Sequence, residues 1–223
     1  MTLGWANPAG AQVAASASLT SDYQYRGLSL SDGEPAASVS LSYERDAGGY
    51  AGGTVLVRAA ARPGSEILAH VEYVGYAWRV GKNQTWDLGV TNLVVFDAYG
   101  GKSAARDTEA YAGISRNNLK LYIYYSPSYF GEDQGVVYAD LGGGFRPARH
   151  WRIFGHVGVL TRLRGSDPSY GPREQYDARA GVAADVGRAE VQLAWTIAVH
   201  EADYAVGQPQ RHPSLVLGAT WFF

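Results

Sequence analysis

Cysteine is absent from the 223 residues, which excludes disulfides and thiolate metal sites. Lysine occurs only at Lys82, Lys102 and Lys120, and charged residues make up 18% of the chain, below the roughly 25% of a typical soluble domain. The 19 basic and 21 acidic side chains nearly cancel, so the broad basic field of a nucleic-acid binder is missing and no nucleic-acid partner is expected. Long apolar runs are lacking too. The richest, Leu93 to Phe96, is far short of the ~18 residues of a membrane-spanning helix. The opening MTLGWANPAGAQV has neither the basic start nor the apolar stretch of a signal peptide, yet Ala9-Gly10-Ala11 matches the small-residue end of one. Residues 1–11 are therefore read as the remnant of an export signal and 12–223 as one domain.

What the chain has in excess is glycine (28), tyrosine (16) and tryptophan (6), set in period-2 alternation with almost no helical spacing. In AEVQLAWTIAVH, Ala189, Val191, Leu193, Trp195, Ile197 and Val199 share one face and Glu190, Gln192, Thr196 and His200 lie on the other. Such a segment matches the ~9–11 tilted residues that cross a bilayer as a strand. Twelve segments follow this pattern, at roughly 13–26, 35–44, 49–58, 67–80, 84–97, 107–116, 119–128, 135–146, 151–163, 175–185, 188–200 and 213–223. Asn92 falls on the same face as Leu88 and Val90, so a bulge or a misread register is expected there.

The connections alternate between short turns, such as GKNQ, RNN and DVGR, and longer polar loops, such as GLSLSDGE and RGSDPSYGPRE. An even number of strands with short turns on one rim and long loops on the other is the layout of an outer-membrane barrel. The expected fold is thus all-β, a transmembrane antiparallel up-and-down barrel of twelve strands, both termini periplasmic, in a Gram-negative outer membrane. A soluble sandwich or barrel alternates as well, but it offers no dry core in which Arg152, His156 and Arg162 could sit. The loops, roughly eight to thirteen residues long, are short for a folded-in plug, and Tyr99, Tyr129, Tyr170 and Tyr204 are read as outward anchors of an interfacial girdle.

Ser21-Asp22-Tyr23 with Arg26-Gly27, then Ser31-Asp32-Gly33 with Pro35, then Tyr50-Ala51-Gly52, carry a resemblance to the TorF-family porin-like proteins, also known as the Gcw conserved proteobacterial proteins. Fainter echoes follow from Tyr73 to Trp78, in TWDLGV and in YYSPSYFG. The resemblance implies an outer-membrane barrel with a pore and brings no agreed substrate.

With the polar faces turned inward, the lumen is expected to be lined by the acids Asp22, Glu72, Asp87, Glu109, Asp140, Asp177 and Glu190 and the bases Arg26, Arg58, Lys120, Arg152, Arg162 and Arg179. His70, His156, His200, Tyr122, Tyr124 and Tyr138 join them. Twelve strands tilted by ~40° give a backbone radius of roughly 12 Å and a bore of only several ångströms. Two readings of the mixed charge stand open: facing ladders that orient ions or a small polar solute, and ion pairs that brace the lumen shut. An excess of arginine and lysine at the short-turn end favours anions or contacts phospholipid headgroups. An enzyme is not expected, because His70, His156 and His200 are followed two positions on by Glu72, Gly158 and Ala202 and not by a serine that a base could activate on the same strand. No cofactor or metal is implied. The alternatives are a closed structural or adhesive barrel and, behind it, a lipid-modifying barrel.

The chain ends on SLVLGATWFF, where Leu215, Leu217, Ala219, Trp221 and Phe223 form one apolar stripe. Facing lipid, this strand would pair with the first and close the sheet. Its terminal aromatic resembles the tag read by barrel-assembly machinery. The expected partners are that machinery, the outer-membrane lipids and the permeating solute.

Overall fold

The computed structural model describes residues 12–59, 67–97, 103–131, 135–163, 173–199, 208–209 and 213–223. In chain order the strands are β1 (Gln12–Thr20), β2 (Gln24–Tyr25), β3 (Leu28–Ser29), β4 (Ala36–Glu44), β5 (Gly49–Arg58), β6 (Ile67–Val80), β7 (Gln84–Asp97) and β8 (Ser103–Arg116). They continue as β9 (Leu119–Ser126), β10 (Val136–Ala148), β11 (Trp151–Arg162), β12 (Glu174–Val186), β13 (Ala189–Val199), β14 (Gln208–Pro209) and β15 (Ser214–Phe222). Twelve of these close an antiparallel barrel in the order β1-β15-β13-β12-β11-β10-β9-β8-β7-β6-β5-β4, and β14, β3 and β2 form a separate small sheet. The seam pairs β1 with β15 from Ser16 opposite Phe222 to Thr20 opposite Gly218. Closure leaves no edge, so the wall satisfies its own backbone groups, which a lipid environment requires.

Alternation sets the two faces. On β13 and β15, Val191, Leu193, Trp195, Leu215, Leu217 and Trp221 are exposed on the outside, while Ala194, Thr196 and Val216 are buried within. Phe223 continues the outward stripe. One repeated contact accounts for the many tyrosines and glycines. Inward Tyr50 lies opposite Gly75, Tyr73 opposite Gly52, Tyr111 opposite Gly89 and Tyr122 opposite Gly113 on the adjacent strands. Each ring folds flat over its glycine. A Cβ added at Gly89 would stand 2.5 Å from Tyr111 Cζ and 2.6 Å from the Val74 carbonyl oxygen, so any larger residue there must push the tyrosine into the lumen.

Three expectations are corrected. The first wall strand stops at Thr20 and does not run to residue 26, because Ser21 to Gly33 turns inward as a hairpin. No bulge lies at Asn92, where β7 keeps register with both neighbours; the pairing slips in β6, where Leu68 is the extra residue opposite Leu56 and Val57 of β5, and in β10 between Phe145 and Ala148. The slip in β6 turns Leu68 into the interior, where it is 2% exposed. The third concerns the loops, for a plug is present after all. Leu30, Leu56, Leu68, Leu93, Tyr129 and Phe130 belong to one apolar cluster inside the long-loop end, and Tyr129 is buried there instead of anchoring outside. Tyr99, Tyr170 and Tyr204 lie outside the described residues.

Candidate functional site

The hairpin owes its shape to two features. Asp22 ties its base, accepting hydrogen bonds from Ser29 Oγ (2.5 Å), Ser31 Oγ (2.9 Å) and Gln24 Nε2 (2.8 Å). At its tip Arg26 and Gly27 take φ of 49° and 75°, the paired positive values of a tight two-residue β-turn. The turn carries Arg26 into the barrel. Its Nη1 and Nη2 donate to Glu109 Oε1 and Oε2 at 2.7 and 2.6 Å, a bidentate charge-assisted pair, with side chains only 7% and 2% exposed. The guanidinium also stacks on Tyr138, Tyr25 and Tyr124, at 4.1, 4.8 and 5.1 Å from the ring centres. Tyr25 packs edge-on against Phe130, and burial holds its phenol well above the ordinary tyrosine range. At the rim Arg58 clasps the outgoing arm through Glu34 (2.8 Å), Asp32 (3.5 Å) and the Ser31 carbonyl (3.0 Å). The hairpin therefore stoppers the lumen at the long-loop end, with the Arg26–Glu109 pair as its catch.

Toward the short-turn rim the lumen is open. Two adjoining cavities of about 950 and 630 Å³ share Lys120 as a lining residue, and a smaller one of about 260 Å³ lies beneath the hairpin against Arg26, Asp107 and Glu109. One side of this vestibule is a tyrosine belt around Asp87, with Glu44 and Arg45 also lining its cavity. Tyr50 and Tyr122 donate to Asp87 at 2.5 and 2.9 Å, and the rings of Tyr111, Tyr122, Tyr124 and Tyr138 follow one another at 5.5–6.1 Å. The other side is charged. Arg152 holds Glu190 through Nη2 (2.6 Å) and Nε (3.2 Å). His156 Nδ1 stands 3.1 Å from Asp140 and 3.7 Å from Asp177, and Tyr138 donates to Asp177 at 3.0 Å. Arg179 rests on the Phe154 ring at 5.5 Å. Its buried Nε lacks a hydrogen-bond partner. Neither Arg179 nor Lys120 has a carboxylate partner among the described residues.

Among the described residues the Arg26–Glu109 pair thus lies in the throat, while the vestibule holds both the Arg152–Glu190 pair and two cations, Lys120 and Arg179, with no carboxylate partner. Asp87, Glu109, Lys120, Tyr122, Tyr124, Tyr138, Asp140, Arg152, His156, Arg162, Asp177, Arg179 and Glu190 all face inward, and Asp22, Arg26 and Arg58 belong to the hairpin and its clasp. His70 and Glu72 do not line the lumen. They share parity with Val74 and Tyr76, which are 58% and 51% exposed on the outer wall, while Gly75 and Ala77 on the inner face make room for Tyr50 and its neighbours. The apolar members of the strand decide its orientation. His200 lies outside the described residues. Tyr50, Asp107 and Phe130 were not anticipated in the lumen; the spacing of Tyr50 from Gly52 on one face was the available signal for the first.

No protein with a curated description matches the chain in sequence. Among solved structures, a NanC porin is 10% identical, with 94% of this chain and 99% of that one covered and a TM-score of 0.59. A KdgM porin, solved in complex with disordered oligogalacturonate, is 8% identical over 95% and 98% of the two chains, with a TM-score of 0.53. These likenesses show a shared barrel fold. The profile of a family described as "Bacterial protein of unknown function (Gcw_chp)" matches residues 6–221.

Proposed function

The chain belongs to the Gcw_chp family of bacterial proteins of unknown function, and from that membership and its barrel we propose that it is a porin-like channel of a Gram-negative outer membrane. It passes ions or a small polar solute by diffusion through a narrow charged lumen, in keeping with the TorF-family porin resemblance. In this reading the long loops face the outside of the cell, the termini and the vestibule face the periplasm, and insertion uses the barrel-assembly machinery. The observation that carries the proposal is the vestibule of about 950 and 630 Å³, which leads to a throat stopped by the short hairpin and the apolar cluster packed around it.

A hydrolase is the less supported reading. His70 does face outward, but the hydroxyl on the next row, Thr108, is two strands away and donates to Asn92 at 2.9 Å; a nucleophile must be within hydrogen-bond reach of its base.

Lys120 and Arg179, both without an acidic partner among the described residues, favour anions in the vestibule. In planar bilayers under a tenfold KCl gradient, the refolded protein is expected to show a reversal potential on the chloride side. The double variant Lys120→Gln/Arg179→Gln should bring the chloride to potassium permeability ratio at least twofold closer to one. A cation-selective wild type would contradict the assignment of these two residues, and silence over a wide voltage range would favour a closed structural barrel.

A further inference from the structure

The outer wall carries one row that lipid chains cannot satisfy. Glu72, Asn92 and Thr108 stand directly opposite one another on β6, β7 and β8, all pointing outward and exposed or half-buried. Asn92 Nδ2 donates to Glu72 Oε2 at 3.3 Å, and Thr108 Oγ1 donates to Asn92 Oδ1 at 2.9 Å. In the next row toward the loops, His70 and Arg106 flank Val94, with His70 Nε2 3.5 Å from Glu72. On β7 this group lies between Trp86 and Phe96, outward aromatics separated by roughly ten residues, a vertical span of about 25 Å at a ~40° tilt, which is the height of an apolar band. The polar row is therefore within the band. Away from the rims, the other described strands present apolar residues, alanine or glycine there.

Charged groups at such depth face a partner or a water-filled space. The wall around the row is shaped to receive another wall. Beside β6 the outward residues Ala51 and Gly53 of β5 form the floor of an apolar trough of about 790 Å³, walled by Val39, Leu41 and Tyr43. Beyond β8 the outward residues of β9, Leu121, Ile123 and Tyr125, form a raised apolar ridge. Acid lies on the β6 side of the row, base on the β8 side and the amide between them. A twofold axis along the membrane normal and beside β7 sets β6 of one copy against β8 of the other. It brings Glu72 toward Arg106 and Thr108 twice over, Asn92 toward its own counterpart, and each β5 trough toward a β9 ridge. This is the self-complementarity that a twofold interface requires.

We propose that the outward face of β5 to β9 is a homodimer interface in the membrane, with Glu72 of each copy paired to Arg106 of the other. The inference rests on the barrel being in a membrane and is independent of whether the lumen conducts.

The absence of native cysteine gives a clean test. Asn92→Cys, expressed in bacterial outer membranes and oxidised there, is expected to run mostly as a disulfide-linked dimer on a non-reducing gel, whereas Leu193→Cys on the opposite wall stays monomeric. Adding Glu72→Arg to Asn92→Cys should reduce crosslinking at least fivefold, and adding Arg106→Glu as well should restore it; the mobility shift between unheated and heated samples confirms folding throughout. A folded Asn92→Cys protein that stays monomeric, or crosslinks no better than Leu193→Cys, overturns the proposal. So does bound phospholipid that co-purifies with monomer and is lost on Glu72→Arg, which would assign the row to lipid.

Discussion

Replacing Arg26 with alanine is expected to raise single-channel conductance several-fold. The tip of the hairpin is held in the lumen by one bidentate pair to Glu109 and by the ring faces of Tyr124 and Tyr138, all acting on the Arg26 guanidinium, while the Tyr25–Phe130 contact and the Arg58 clasp hold its arms. Its removal also leaves the Glu109 carboxylate buried beside Asp107, and breaking a buried pair from one side costs about 3–5 kcal/mol. Glu109 can escape that cost by taking up a proton or by admitting water, and either outcome loosens the hairpin. Removing both partners, as Arg26→Ala/Glu109→Ala, abolishes the catch without stranding a charge and should open the throat as far. Arg26→Lys is expected to fall between, since an ammonium cannot reproduce the fork or the stacking plane. Planar-bilayer recording at high salt checks the series. Equal conductance in all four proteins would mean that the hairpin does not gate the path.

Deleting Trp221 to Phe223 is expected to abolish formation of the folded barrel, seen as loss of the heat-modifiable band on an unheated gel. The β1–β15 seam has five paired positions, and the deletion removes Ala17 opposite Trp221 and Ser16 opposite Phe222. It also removes the amide hydrogen bonds from Phe223 to the Ala15 carbonyl and from Phe222 to the Arg188 carbonyl, each 3.0 Å. Where no water can replace them, each orphaned backbone group costs several kcal/mol. Deleting Phe223 alone should impair assembly to a lesser degree. The two roles of the ending separate cleanly: failure to refold in detergent marks the seam, while refolding in detergent with failure in cells marks recognition by the assembly machinery. A truncated chain that assembles at wild-type yield in both settings would contradict both roles.

The barrel was legible wherever one face is uniformly apolar. β13 and β15 carry an apolar residue at every outward position, and the structure turns Leu193, Trp195, Leu215 and Leu217 outward as expected. β6 was misread because His70 and Glu72, two polar residues, share a face with Val74 and Tyr76, and because the slip beside Leu68 changes phase at the strand's start. Periodicity carries no sign that distinguishes a polar residue facing water from one facing another protein. The hairpin was hidden for a different reason. SLTSDYQY continues the alternation of β1, and what ends the strand is Asp22 reaching Ser29 and Ser31, a local competition of side chain with backbone. The catch itself joins residues 83 positions apart, a pairing that no local pattern reports. The vestibule residues were easier. Arg152, His156, Arg179 and Glu190 sit on strands whose opposite faces are plainly apolar, so their direction followed from parity even though their partners did not.

The central claim, that the inner face of the barrel is a conducting path, is tested most directly by modifying single cysteines during recording from the Arg26→Ala channel. Gln192 lines the vestibule, and Leu193 next to it is 45% exposed on the outer wall. A charged, membrane-impermeant thiol reagent is expected to change the current sharply and irreversibly in Gln192→Cys and to leave Leu193→Cys unaffected. Current that persists unchanged after confirmed modification of Gln192→Cys, or an equal response from both positions, would show that ions do not pass through this lumen.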